Sequence, residues 1–163
     1  MSKSTATSVI APALPKGVHL TAEGRTLLRE RIDYLRTDVL DVLRPHLMGP
    51  DRDERDVAHF ERTLAEVDRL EGVLAAAGVL AAHATGRRAK VAPGALVEIE
   101  TPGGLPERVR VRLVHPEEAA FDDERISWNS PLAQALLGAT VGETREVQSP
   151  RGTWTCVVRR ILA

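Results

Sequence analysis

LTAEGRTLLRERIDYLRTDVLDVL, residues 20–43, decides the first half of the fold. Leu28, Ile32, Leu35, Val39 and Val42 recur at alternating spacings of four and three, which lines one narrow stripe of a helix as in a coiled coil. Arg29, Glu30, Arg31, Asp33 and Arg36 fill the other faces. The Thr21 hydroxyl is placed to cap the first free amides, and Glu23 brings negative charge to the positive helix end, so the helix is expected to begin near Ala22. Pro45 lacks an amide hydrogen and crowds the preceding turn, which kinks the helix or ends it near Leu43; Gly49-Pro50 then break it.

Further along, Val57, Phe60, Leu64, Val67, Leu70 or Glu71, and Leu74 make a second stripe, and Ala75, Ala76 and Ala77 extend its helical propensity. Two amphipathic helices around a short turn read as an antiparallel hairpin, either a projecting finger or half of a helical bundle. His83 to Ala92 (HATGRRAKVA) loses the stripe and gathers Gly, Arg and Lys, which reads as a linker. The period then changes from helical to strand-like. Ala95–Glu100 and Arg108–Val114 are expected as strands joined across Pro102-Gly103-Gly104, the second alternating Val109, Val111 and Leu113 with Arg108, Arg110 and Arg112.

Asn129 or Ser130 caps a short helix whose first turn holds Pro131 and whose end falls at Gly138, with Leu132, Leu136 and Leu137 packing on the sheet. Glu143–Gln148 and Thr153–Ile161 complete the strands around the turn Ser149-Pro150-Arg151-Gly152. The fold class is therefore α+β. Its expected parts are a flexible tail over 1–17, a coiled-coil hairpin over 18–82, a linker over 83–92 and a sheet-plus-helix domain over 93–163.

Composition narrows the function. Twenty-two basic against twenty-three acidic side chains lack the basic excess of proteins that track nucleic-acid backbones, so direct sequence-specific DNA binding is not expected. Cys156 has no partner for an internal disulfide and reads as a strand core position, which fits a reducing cytoplasm. Met1 to Gly17 lacks the apolar stretch of a signal peptide, and no run approaches the roughly 20 apolar residues that span a bilayer, so no membrane association is expected. His19, His46, His59, His83 and His115 are scattered without a second ligand at metal-binding spacing. Gly103-Gly104 is followed by Leu105-Pro106 instead of the Lys-Ser or Lys-Thr of a phosphate loop. Neither an intrinsic active site nor a bound cofactor is expected.

The most specific stretch is Ile126 to Gly138, ISWNSPLAQALLG. Its Ile126-Ser127, Asn129-Ser130-Pro131, Leu132-Ala133 and Leu136-Leu137-Gly138 resemble the signature of the Gre-factor C-terminal domain; Pro93-Gly94-Ala95 and Leu20-Thr21 with Gly24 add matches on the N-terminal side. The resemblance covers residues 20–163. It implies an FKBP-like domain without peptidyl-prolyl isomerase activity, docked on the rim of the secondary channel of RNA polymerase core through Ser127, Asn129, Ser130, Pro131 and Leu132. It also implies that the hairpin enters the channel towards the catalytic magnesium. A monomer is expected.

Between the arms, Asp51-Arg52-Asp53-Glu54-Arg55-Asp56 carries four carboxylates in six positions. On its own this pattern is a solvated turn with Asp near a helix N-terminus. The resemblance implies more, because cleavage-competent Gre factors use a D-x-x-E pair at the tip to help hold a second magnesium and its attacking water, and Asp51 and Glu54 have that spacing. No metal is expected to bind the protein alone; any magnesium would be shared within the polymerase complex.

Two departures from the family pattern point to inhibition instead of cleavage. The Asn and the aromatic residue after the Glu are missing, Pro50 is inserted, and Arg52 and Arg55 stand among the acids. The hairpin is also about nine residues shorter than in typical Gre factors, a loss of reach of about 7 Å at about 1.5 Å per residue in each arm, whereas magnesium ligands must sit near 2.1 Å. A polymerase-binding regulator that inhibits RNA synthesis is the expected function; a transcript-cleavage factor is the second reading and a coiled-coil adaptor unrelated to polymerase the third.

Overall fold

Thr21 begins the first helix as its hydroxyl suggests, with Oγ1 accepting the Gly24 amide at 2.9 Å ahead of α1 (Ala22–Tyr34). The computed structural model describes residues 13–163, so most of the expected tail over 1–17 lies outside the described residues. Two compact units result, one formed by Gly17–Val79 and one by Leu80–Ala163 together with residues 13–16. Within the first, β1 (His19–Leu20) pairs in parallel with β2 (Gly78–Val79), so both ends of the hairpin meet at its base.

The first arm departs from a regular helix after α1. Leu35–Leu40 is a π-helical turn, followed by α2 (Asp41–Leu43) and a 3₁₀ turn over Arg44–Leu47. A π turn takes in one residue more than an α turn and carries the apolar stripe forward by one position. Leu28, Ile32 and Leu35 are buried as expected, but the next seam residue is Leu40, with Val39 beside it, and Val42 is 58% exposed. The expected Val39–Val42 continuation is thus corrected to Leu40 and the half-buried Leu43.

Gly49 turns the chain with φ 101°, a conformation that an L side chain would strain. The second arm is α3 (Glu54–Ala76), whose buried stripe runs through Thr63, Val67 and Leu70, with Phe60 and Leu74 packed alongside. Leu64, expected in the seam, is 43% exposed, and Thr63 holds the place. The spacing Phe60, Thr63, Val67, Leu70, Leu74 is a strict heptad, and a threonine methyl suffices to fill it. Arg31–Glu66 at 3.2 Å and Arg36–Glu71 bridge the arms at the surface, where such pairs contribute little beside the apolar seam.

The second unit is a five-stranded sheet of order β5-β4-β3-β7-β6. Its strands are β3 (Leu96–Glu100), β4 (Arg108–Val114), β5 (Arg125–Ser127), β6 (Thr144–Ser149) and β7 (Gly152–Leu162). Two helices complete it: α4 (Pro116–Ala119), between β4 and β5, and α5 (Pro131–Leu136). Neighbours are antiparallel except β4 and β5, which run parallel with Arg112 opposite Arg125 and Val114 opposite Ser127. Alternation buries Val97, Ile99, Val111, Leu113, Val147, Cys156, Val158 and Ile161 with Ala133, Leu136 and Leu137 of α5 in one core. Mixed helix and sheet agree with the α+β reading.

Residues 83–92 do not behave as a linker. Ala89 and Val91 belong to the sheet core, the Val91 amide donates to Ala139 O at 2.8 Å, and Lys90 bridges Thr140. Gly, Arg and Lys around them face outward, and their composition hides two apolar positions in strand-like alternation. Leu14, from the expected tail, also packs against this core.

Glu143 supplies a pH prediction for this unit. Its carboxylate accepts the Thr140 amide at 2.5 Å and lies 3.3 Å from Arg145; first that backbone bond, then the guanidinium, hold its pKa below the ordinary carboxylate value against the opposing cost of burial. A folded-state pKa below the unfolded one adds stability above the unfolded value that is lost as pH falls through the folded one. The thermal midpoint of the sheet unit should therefore drop below about pH 4.5, and Glu143→Gln should flatten that part of the profile. An unchanged acid limb in the variant would assign the loss to other groups.

Candidate functional sites: the acidic hairpin tip and the capped turn

At the hairpin tip, Asp53 is the N-cap of α3, its Oδ1 accepting the Arg55 amide at 2.8 Å. Glu54 and Asp56 sit in the first turn, where a carboxylate favours the positive helix end. The side chain of Glu54 is 83% exposed and lies 3.6 Å from the Arg52 guanidinium, and Asp51 is exposed in the preceding turn. The acids read from the sequence are thus gathered at one end of the hairpin, but unequally occupied. Asp53 serves the helix, Glu54 has a cation beside it, and Asp51 faces solvent.

Among the described residues, no group of three His, Cys, Asp or Glu side chains converges to hold a metal ion. Asp51 and Glu54 offer hard oxygen ligands of the kind magnesium takes, but only part of its roughly octahedral shell, so the tip suits a site completed by other ligands. Cys156 is fully buried, and burial pushes its thiol up, away from nucleophilic chemistry.

The capped turn lies between β5 and α5. Ser130 is the N-cap of α5, its Oγ accepting the Ala133 amide at 3.2 Å, while Ser127 Oγ accepts the Asn129 amide at 3.1 Å and Ser127 O accepts the Ser130 amide at 2.9 Å. Both hydroxyls are therefore engaged as acceptors by the turn itself. Asn129 and Pro131 are exposed and Leu132 is half-buried. Leu132, Pro131, Ile126, Trp154 and Pro150 line an open hollow of about 420 Å³ with Arg151 on its wall. An exposed amide, a rigid proline and an apolar hollow in one place form a surface suited to a protein partner.

Two residues in or beside the signature were passed over in the sequence. Trp128 is 4% exposed, sits edge-on against His115 with centroids 5.4 Å apart, and takes a bond from Gln134 Nε2 to its carbonyl at 2.6 Å. Arg125, which opens β5, is 7% exposed and faces the fully buried Glu118. The aromatic ring between Ser127 and Asn129 was a usable signal of burial; nothing in an Arg among Asp and Glu residues signalled it.

Residues 87–162 match the family model described as "Transcription elongation factor, GreA/GreB, C-term". The transcription elongation factor GreA of Methylococcus capsulatus is 30% identical over 143 residues, covering 82% of this chain and 90% of that protein. The GreB of Xanthomonas axonopodis pv. citri is 33% identical over 156 residues, covering 90% and 92%. The transcription inhibitor protein Gfh1 of Thermus aquaticus is 38% identical over 93 residues, covering 56% and 57%.

Proposed function

Because this chain belongs to the GreA/GreB family of transcription elongation factors, we propose that it binds RNA polymerase core at the rim of the secondary channel and restrains RNA synthesis with its acidic hairpin tip. Docking uses Ser127, Asn129, Ser130, Pro131 and Leu132. The factor has no catalysis of its own, and any magnesium near Asp51 and Glu54 is shared with the polymerase. Such a protein works in the cytoplasm as a monomer.

The observation that carries the inhibitory sign is the state of the tip. Of the two acids with cleavage-factor spacing, Glu54 has the Arg52 guanidinium 3.6 Å away, and the acid between them is spent on capping α3. A tip that places charge in the channel without a free pair of ligands obstructs more readily than it assists. Among the named relatives, Gfh1 carries the word inhibitor. The second reading, a cleavage factor lending Asp51 and Glu54 to polymerase chemistry, rests on the D-x-x-E spacing alone.

Pull-down with purified polymerase core separates both readings from a coiled-coil adaptor, which would not be retained. Ser130→Arg should lower the affinity for core at least about tenfold, because it sets a long cation at the centre of the docking turn. It also removes a cap, at a cost of about 1 kcal/mol. Affinity must therefore be measured on protein shown to be folded, and an unchanged value there would contradict the docking assignment.

A further inference from the structure

The signature turn hangs from an edge strand of three residues, β5, whose one neighbouring strand among the described residues is β4. Short strands of this kind hold register weakly unless a side chain pins them. Here the pin is charged. Arg125 Nε lies 3.6 Å from Oε1 of Glu118 on α4, and both side chains are buried, at 6% and 0% exposure. Asp122 closes the loop between them, pairing with the Arg125 guanidinium through Oδ2 while Oδ1 accepts the amides of Glu124 at 3.0 Å and Arg125 at 2.9 Å.

Stability alone does not account for this choice of residues. Removing two charges from water is costly for each ion, and apolar replacements of similar volume are often as stable or more so. What an ion pair adds is a single permitted alignment. A slip of β5 against β4 by two residues would carry the guanidinium away from Glu118 and separate two buried opposite charges. The consequence falls on the next residues along the chain. Val114 stands opposite Ser127 and its carbonyl accepts the Trp128 amide at 2.9 Å, so the alignment of Arg125 sets the origin from which Ser127, Asn129 and Ser130 are measured. Trp128, wedged on His115, is the second fixed point, and His115 in turn caps α4 through Nδ1, which accepts the Glu117 amide at 3.2 Å.

We propose that Glu118 and Arg125 are positioning residues for the partner-binding turn, holding β5 in register so that Asn129, Ser130 and Pro131 are presented in one arrangement. This rests on the docking function proposed above for that turn. The two side chains need not touch the partner; they act through the strand that leads into it.

The test replaces the pair together, Glu118→Met with Arg125→Met, and measures three quantities on the full chain. The thermal midpoint of the sheet unit is expected to stay or rise. Hydrogen exchange of the Asn129 and Ala133 amides in the free protein, which report the two serine hydroxyl bonds, should accelerate at least about tenfold relative to amides of β3 and β7. Affinity for core polymerase should fall by a similar factor. Unchanged local exchange in the folded double variant overturns the proposal, and so does acceleration that is uniform across the sheet. If the double variant does not fold, Arg125→Lys, which keeps the charge but loses the fork, takes its place; unaltered exchange at Asn129 and Ala133 then overturns the proposal equally. Faster local exchange with unchanged affinity would instead remove the docking role of the turn, a result that Ser130→Arg checks independently.

Discussion

Added in saturating amount to stalled elongation complexes, the protein is expected to slow nucleotide addition severalfold and to release no short 3′ RNA fragments. The proposed shortening of each hairpin arm by four or five residues, at about 1.5 Å each, would take about 7 Å from its reach, against metal ligands that must approach to about 2.1 Å. The tip chemistry points the same way, since Arg52 is 3.6 Å from Glu54 and Asp53 is committed to the start of α3. Charge removal should weaken the inhibition, but the variant must respect the cap. Asp51→Ala, Glu54→Ala and Asp56→Ala combined with Asp53→Asn keep an acceptor for the Arg55 amide, whereas Asp53→Ala would cost about 1 kcal/mol of helix stability and confuse the result. Salt should weaken the effect in parallel if the acids meet a basic channel surface. Inhibition that survives the four changes points to steric obstruction. Release of RNA fragments by the unaltered protein, abolished by Asp51→Ala, would put the cleavage reading in place of the inhibitory one.

Leu35→Asp is expected to unfold the hairpin and leave the sheet unit standing. Leu35 is 3% exposed in the seam with Ile32, Leu40, Val67 and Leu70, and an unpaired carboxylate there costs about 3–5 kcal/mol, comparable with the whole stability of a small helical unit. The chain provides its own reporters. Trp128 and Trp154 both lie in the sheet unit, whereas Tyr34, the single tyrosine, lies in the hairpin. Helical circular dichroism should fall while the tryptophan emission transition keeps its midpoint. A tryptophan transition that collapses together with the helical signal would mean that the units unfold as one, and the division near Leu80 would lose its thermodynamic sense.

The elements marked by punctuation were legible from the sequence. Thr21 and Ser130 with Pro131 begin helices through local bonds that need no tertiary context, and the alternation from Arg108 to Val114 bounds β4 as expected. What escaped depends on partners distant in the chain. Strict periodicity along the seam reveals neither the π turn nor the exchange of Leu64 for Thr63. Strand β5 is three residues long and pairs in parallel across α4, which leaves too short a pattern to see. The burial of Glu118 in Pro116–Ala119 follows only from Arg125 being brought against it. The acids of the tip were legible as a cluster, but their division into a cap, a paired residue and an exposed one follows from where α3 begins.

The π turn at Leu35–Leu40 also bears on how such hairpins change length over evolutionary time. In a regular coiled coil, one inserted residue rotates everything beyond it by about 100°, turning the apolar stripe to solvent, so viable length changes come in whole heptads. An arm that can store the surplus residue in a π turn escapes that rule: Leu40 and Leu43 resume the stripe that Leu28, Ile32 and Leu35 began. The length of this arm is then adjustable by a single residue without turning its apolar stripe to solvent.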